Sequence, residues 1–160
     1  MSTKVTHELT YDAPSAQVAA MLKNAAFRER VCDAIGTTRK EVSVGPEGGG
    51  TKVVIDMDQP ADGIPGFAKK FVGDQINIVQ TERWTDDESA GVDVVIPGKP
   101  GQMSGGLTLR ESGGTTTETV QLEIKVNIPL VGGKIEALIA DMLRKALRTE
   151  NAVGRDHLAG

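Results

Sequence analysis

Aromatic residues are scarce in this 160-residue sequence, which contains only Tyr11, Phe27, Phe67, Phe71 and Trp84. A surface that binds nucleic acid by base stacking needs several aromatic side chains on adjacent strands, and these five do not have that spacing. The net charge of -4 also argues against binding to a phosphate backbone. We therefore expect no nucleic-acid partner.

Cysteine and histidine are equally rare. The single cysteine, Cys32, excludes an intramolecular disulfide and is typical of a reducing compartment. We interpret it as a small buried apolar residue on a helix. The two histidines, His7 and His157, supply too few ligands for a zinc site. The aspartates of DMDQPAD (56–62) do not match a calcium loop, because Pro60 stands where a ligand is expected. We predict no metal and no cofactor.

Long apolar runs are absent as well. No segment approaches the roughly 18 apolar residues that a membrane-spanning helix needs. The N-terminal MSTKVTHELTYDAP lacks the apolar stretch of a signal peptide. We therefore expect a cytoplasmic protein without stable membrane insertion. The length fits one domain, which we place at residues 1–153 with a tail at 154–160. The oligomeric state is not indicated.

The first 36 residues predict a strand followed by two short helices. KVTHELTY (4–11) alternates apolar and polar residues, as a half-buried strand does. Asp12 is expected to cap the first helix. Asn24 is expected to cap the second helix, and Gly36 to end it.

Residues 37–128 alternate apolar and polar residues in six segments separated by glycine-rich turns, such as GPEGGG (45–50). This pattern is typical of an antiparallel meander with one face exposed to water. One interruption, QPADGIPGFAKKFVG (59–73), is expected to hold a short helix in which Phe67 and Phe71 lie one turn apart.

The sequence closes with a long amphipathic helix, predicted from about residue 131 to 152. Its apolar stripe includes Leu138, Ile139 and Met142, whereas Glu136 lies on the polar side. At 1.5 Å per residue the helix would be roughly 33 Å long. The stripe is wide enough to pack across a sheet. We predict an α+β fold in which a curved antiparallel sheet of about seven strands (β-α-α-β6-α) wraps around this helix.

Five stretches of the sequence carry a resemblance to a known superfamily. HELTYDAPSAQVAAML resembles the opening of START-like proteins, also called the SRPBCC or helix-grip superfamily, which includes polyketide cyclases, coenzyme Q-binding proteins and birch-pollen allergens. FRERVCDAIG, QPADGIPGFAKKFVGD, VVIPGKPG and NIPLVGGKIEALIAD resemble an actinobacterial branch of unknown function. The resemblance implies a helix-grip fold with a cavity that takes a small hydrophobic molecule. It implies no catalytic residues.

Polar residues on otherwise apolar faces are the candidates for chemistry. His7 shares a strand face with Val5 and Leu9, and Gln80 and Glu82 share a face with Trp84. A buried carboxylate needs a partner or a proton. Glu82 is therefore expected to pair with His7 or to face a polar ligand group. The alternatives are a β-bulge that reverses the register, or a strand end in water.

We predict that the protein binds or transports a small hydrophobic ligand, such as a lipid, an isoprenoid or a polyketide-like molecule. The predicted ligand-binding residues are His7, Phe67, Phe71, Glu82, Trp84, Leu138, Ile139 and Met142. Phe67 and Phe71 could gate the cavity or could be ordinary packing residues. One alternative is a cyclase or aromatase that uses His7 and Glu82 as acid and base. Another is a filled core whose surface binds other proteins.

Overall fold

The computed structural model describes residues 2–160, which form one seven-stranded antiparallel sheet and four helices. The elements are β1 (Thr3–Tyr11), α1 (Ser15–Leu22), α2 (Ala25–Ile35), β2 (Arg39–Glu47), β3 (Gly50–Pro60), α3 (Gly66–Val72), β4 (Gln75–Trp84), β5 (Ser89–Val95), β6 (Gln102–Ser112), β7 (Thr115–Lys125) and α4 (Gly132–Ala159). The strand order is β1-β7-β6-β5-β4-β3-β2, so the strands from β2 to β7 form a meander. The sheet is curved and open, and the predicted α+β helix-grip fold is confirmed.

The two short helices begin and end largely as the sequence predicts. Asn24 caps α2 through its Oδ1 atom, which accepts a 3.0 Å hydrogen bond from a backbone N–H of the first turn. Gly36 follows α2 in the left-handed conformation with φ of 96°. The prediction that Asp12 caps α1 is wrong, because Pro14 occupies the cap position. The Asp12 carboxylate instead accepts a 3.2 Å hydrogen bond from the Thr115 hydroxyl.

The predicted loop at residues 45–50 is shorter in the structure, since β2 continues to Glu47 and β3 begins at Gly50. Gly48 and Gly49 alone make the turn, with φ of 54° and 85°. A two-residue hairpin that matches the twist of its strands needs positive φ at both positions, which glycine adopts without strain.

Helix α4 has 28 residues, which corresponds to about 42 Å. The predicted end of the helix at residue 152 is therefore wrong, because the helix continues to Ala159 and includes most of the segment that we expected to form a tail. Contacts with the rest of the molecule hold its last two turns. Gly154 is buried against β1, and the His157 ring lies edge-to-face on Phe27 with 5.3 Å between ring centroids.

The expected position of Glu136 on the exposed face of α4 is also wrong. Glu136 is buried at the start of the helix, although its position in the sequence predicts exposure. Its two carboxylate oxygens accept hydrogen bonds from the Val126 backbone N–H and the Thr3 hydroxyl, each 2.9 Å long. These bonds tie the first turn of α4 to the ends of β7 and β1, so the buried carboxylate is paired at both oxygens.

Candidate functional site

A cavity of about 700 Å³ lies between the inner face of the sheet and α4. Its volume falls within the range of about 300–1,000 Å³ that small-molecule sites occupy. Apolar side chains from β3, β4, β5, β6, β7, α2, α3 and α4 line most of it, among them Met57, Ile76, Ile78, Val94, Met103, Ile124, Val126, Ile135 and Leu143. This hollow space contradicts the filled-core alternative.

The apolar stripe of α4 is only partly buried, because part of it faces this cavity. Leu138, Ile139 and Met142 face the cavity and are only half-buried, whereas Ala140 and Leu147 on the same helix are fully buried. Apolar side chains at these positions would be sealed in a close-packed core. Their remaining exposed surface is therefore available to a ligand.

The structure places four of the eight predicted ligand-binding residues on the cavity wall and four outside it. The lining residues are Phe71, Leu138, Ile139 and Met142, and the others are His7, Phe67, Glu82 and Trp84. Phe67 is 36% exposed and does not line the cavity, whereas Phe71 does. Contact of the four lining residues with a ligand remains a prediction.

His7 lies on β1, which packs against α4 away from the cavity wall. Burial, together with the positive charges of Arg148 and Arg144, lowers the pKa of its imidazole. The predicted pair between His7 and Glu82 is wrong, because the carboxylate of Glu82 is bound to Arg28 instead.

The predicted register of β4 is confirmed. Glu82 lies opposite Val53 and Val92 in the two neighbouring strands, and it is only 1% exposed. Gln80 lies two residues earlier on the same inner face and lines the cavity. Neither a β-bulge nor a solvent-exposed strand end therefore accounts for the polar residues on this face.

Glu82 is the centre of a buried charged cluster, formed by Arg28, Glu82, Glu118 and Glu150. Glu82 Oε1 accepts hydrogen bonds from Arg28 Nη2 at 2.7 Å and from Trp84 Nε1 at 3.1 Å. Glu82 Oε2 accepts a 2.7 Å hydrogen bond from Gln80 Nε2. Each of these three contacts is a hydrogen-bond donor, so both oxygens of the Glu82 carboxylate act as acceptors.

Arg28 joins three elements in this cluster. Its Nη1 donates to Glu150 of α4 at 3.2 Å, and its Nε donates to the backbone carbonyl of Leu22 at 2.7 Å. Together with the bond to Glu82, these contacts hold α2 and α4 against β4. Arg28 is 2% exposed, so its charge is compensated inside the protein.

Glu118 of β7 completes the cluster without a full set of partners. Among the side chains of residues 2–160, Glu118 Oε1 and the Tyr11 hydroxyl are buried without a hydrogen bond, although the Asn151 amide approaches that hydroxyl. Burial and the nearby Glu150 carboxylate raise the pKa of Glu118 well above its usual value, against the attraction of Arg28. Burial likewise raises the pKa of Glu150, against the attraction of Arg28, so the two glutamates hold their protons more tightly than exposed glutamates do.

Sequence reasoning missed Arg28, Glu118 and Glu150. The position of Glu118 was predictable, because the alternation of Val120, Leu122 and Ile124 in β7, extended backwards by two residues, places Glu118 on the same inner face. Glu150 also lies on the α4 stripe, three residues after Leu147. Their partners lie far away in sequence, so their pairing was not predictable from spacing.

Residues 2–160 were also compared with the requirements of a metal site, a membrane-spanning helix and a reactive thiol. No three histidine, cysteine, aspartate or glutamate side chains are grouped to hold a metal ion. No helix in this part of the chain is long and apolar enough to cross a membrane. Cys32 is buried on α2, and burial raises the pKa of its thiol, as its interpretation as an apolar core residue predicts.

Solved structures with this architecture belong to the START-like superfamily, which confirms the predicted resemblance at the level of the fold. Norcoclaurine synthase from Thalictrum flavum, in complex with dopamine and hydroxybenzaldehyde, has a TM-score of 0.62 and 14% identity, covering 99% of this chain and 88% of that one. The Zhui aromatase/cyclase from Streptomyces sp. R1128 has a TM-score of 0.59 and 14% identity, covering 98% and 90%. Ara h 8.0201 has a TM-score of 0.64 and 13% identity, covering all of both chains.

The chain belongs to the family described as "protein of unknown function (DUF2505)", whose model matches residues 6–158. A comparison with curated proteins finds no match. The structural relatives have identities that establish a shared fold and no more, and the fold hosts both ligand binders and enzymes.

Proposed function

We propose that the protein binds a small hydrophobic molecule, such as a lipid, an isoprenoid or a polyketide-like compound, in the cavity between the sheet and α4. The observation that carries this proposal is a cavity of about 700 Å³ whose wall is mostly apolar. Each Å² of apolar surface removed from water contributes about 25 cal/mol to binding, before the cost of association. A ligand that covers Leu138, Ile139 and Met142 would therefore gain affinity by removing their surface from water.

The location of the charged groups favours binding over catalysis. The cyclase alternative needs an acid and a base beside the ligand. His7 and Glu82, its two candidates, do not line the cavity, and Glu82 is held by Arg28. The ionisable side chains on the wall are Asp62, Lys99 and Lys145, all of which are exposed. They are better placed at the edge of the cavity than at a reacting centre.

The proposal is tested with the neutral fluorescent probe N-phenyl-α-naphthylamine, whose emission rises in apolar surroundings. We expect saturable binding to the wild-type protein. Leu138→Trp and Met142→Trp each place a large ring in the cavity and should weaken binding about tenfold or more, equivalent to about 1.4 kcal/mol. Ala137→Trp is the matched control, because Ala137 is exposed on the same helix and does not line the cavity.

Circular dichroism verifies that each variant is folded. Unchanged affinity in both Leu138→Trp and Met142→Trp would show that the probe binds elsewhere, and the absence of saturable binding would refute the proposal.

A further inference from the structure

Gln80 stands where the apolar cavity meets the buried charged cluster. It lies on the inner face of β4, opposite Ile55 of β3 and Val94 of β5. Its side chain lines the cavity and also reaches Glu82, which does not line it. Gln80 is therefore the cavity residue whose side chain is held directly by the cluster.

The orientation of the Gln80 amide is fixed by its neighbour. Glu82 Oε2 lies 2.7 Å from Nε2 of Gln80, and a carboxylate can only accept from it. If the amide were turned over, its carbonyl oxygen would face the carboxylate oxygen, and the two acceptors would repel. Arg28 and Trp84 occupy the other oxygen of Glu82 and hold the carboxylate in place. The amide nitrogen of Gln80 therefore points towards Glu82, and its carbonyl oxygen points away from it.

The carbonyl oxygen of the same amide remains without a partner. No side chain or backbone group of residues 2–160 donates a hydrogen bond to Gln80 Oε1, and the oxygen is not sealed inside the protein. Because the side chain lies on the inner face of the sheet, the surface it exposes belongs to the cavity wall. This oxygen is a fixed hydrogen-bond acceptor in mostly apolar surroundings, where an unused polar group is costly.

We propose that Gln80 selects the ligand, and that the ligand is an apolar molecule carrying a neutral hydrogen-bond donor, such as a hydroxyl or an N–H group. The donor would bind Gln80 Oε1, while the apolar body would lie against α4. This inference rests on the proposed function of the cavity. A carboxylate is disfavoured at this point, because it would meet the lone pairs of Oε1 in front of the negative Glu82. Arg28 offers it no compensation, since its donors are bound to protein oxygens and it does not line the cavity.

Three ligands that differ in one substituent test this inference: naphthalene, β-naphthol and β-naphthoate, each measured by displacement of N-phenyl-α-naphthylamine. We expect the wild-type protein to bind β-naphthol about fivefold more tightly than naphthalene, as one buried neutral hydrogen bond allows. β-naphthoate should bind more weakly than β-naphthol. Gln80→Met keeps the size of the side chain but removes the acceptor, so it should abolish the preference for β-naphthol over naphthalene.

Gln59→Met is the matched control. Gln59 also lines the cavity, but its Nε2 contacts only the thioether of Met57, at 3.8 Å, and no carboxylate fixes its amide. This variant should keep the preference for β-naphthol. Equal affinities for naphthalene and β-naphthol in the wild type, or a preference that survives in Gln80→Met, would overturn the inference but leave the proposed function intact. Tightest binding of β-naphthoate would do the same and point to Lys99 or Lys145. Failure of the fluorescent probe itself to bind would instead refute the proposed function.

Discussion

Replacing Arg28 with methionine should destabilise the protein strongly, because it removes the cation that compensates Glu82 and Glu150. Both carboxylates would remain buried without it, since Glu82 is 1% and Glu150 is 8% exposed. Breaking a buried ion pair by removing one partner costs about 3–5 kcal/mol. Arg28→Met also loses the 2.7 Å bond to the Leu22 carbonyl, while methionine retains the apolar stem of arginine.

The loss of stability at neutral pH can be calculated from the protonation of a buried carboxylate that has lost its positively charged partner. Such a carboxylate takes up a proton, which costs about 1.4 kcal/mol for each pH unit above the ordinary glutamate pKa of about 4.3. One such protonation at about pH 7 costs about 3.7 kcal/mol, in agreement with the range for broken buried pairs. At about pH 5.5 the same step costs about 1.6 kcal/mol, so the loss should shrink by about 2 kcal/mol.

Urea unfolding at the two pH values measures this loss as a difference in free energy of unfolding between variant and wild type. Arg30→Met is the matched control, since Arg30 lies on the same helix but forms an exposed ion pair with Asp156 at 3.1 Å. It should change stability by no more than about 0.5 kcal/mol. The double variant Arg28→Met/Glu82→Gln should recover part of the loss. A loss below about 1 kcal/mol for Arg28→Met, or an equal loss at both pH values, would refute the reasoning.

Two further variants test the packing and charge of the same region. Gly154→Ala would place its Cβ atom 2.6 Å from the Tyr11 ring, so we expect a loss of about 1–3 kcal/mol in thermal unfolding, although alanine favours a helix. Gly133→Ala meets no atom within 4 Å, and equal behaviour of the two alanine variants would contradict this account. Glu118→Gln removes a carboxyl group whose pKa is raised by burial and by Glu150. Because the folded protein holds this proton more tightly than the unfolded chain, Glu118 lowers the free energy of unfolding increasingly as the pH rises above the unfolded-state pKa. The variant should gain stability relative to wild type as the pH rises above about 5, by at most about 1.4 kcal/mol per pH unit, and a pH-independent difference in urea unfolding would show that Glu118 does not titrate in this way.

The strands were predictable because each has one buried face. In β4 the alternation of Ile76, Ile78, Gln80, Glu82 and Trp84 favoured one inner face, which the structure confirms. The two polar residues in this run left a β-bulge open, because a slip of one residue turns the following side chains to the other face without changing the alternation.

The end of α4 was not predictable, because tertiary contacts rather than local sequence determine it. The segment VGRDHLAG (153–160) has weak helical periodicity. Its contacts with the rest of the protein include residues of β1 and α2. Gly154 packs on Tyr11 and His157 packs on Phe27, residues more than a hundred positions earlier in the chain. Helix stability of this kind comes from packing and not from propensity.

The site was predictable only in part. The apolar stripe correctly placed Leu138, Ile139 and Met142 against the inner face of the sheet, but no pattern distinguishes a hollow space from a filled one. The partner of Glu82 was also hidden, because Arg28 lies 54 residues earlier on a helix whose position is set by the whole fold. Spacing therefore identifies a buried carboxylate that needs a partner, while the three-dimensional structure identifies the partner.

The most direct test of the cavity as a binding site is the methyl NMR spectrum of protein labelled with [methyl-¹³C]methionine, recorded with and without N-phenyl-α-naphthylamine. Met57, Met103 and Met142 line the cavity, whereas Met21 is buried on α1 and does not. Because the methyl groups on the wall would contact the aromatic probe, their signals should shift together and saturate, while that of Met21 stays in place. A spectrum in which the three cavity signals remain unchanged at a saturating probe concentration, or in which only Met21 moves, would contradict the account.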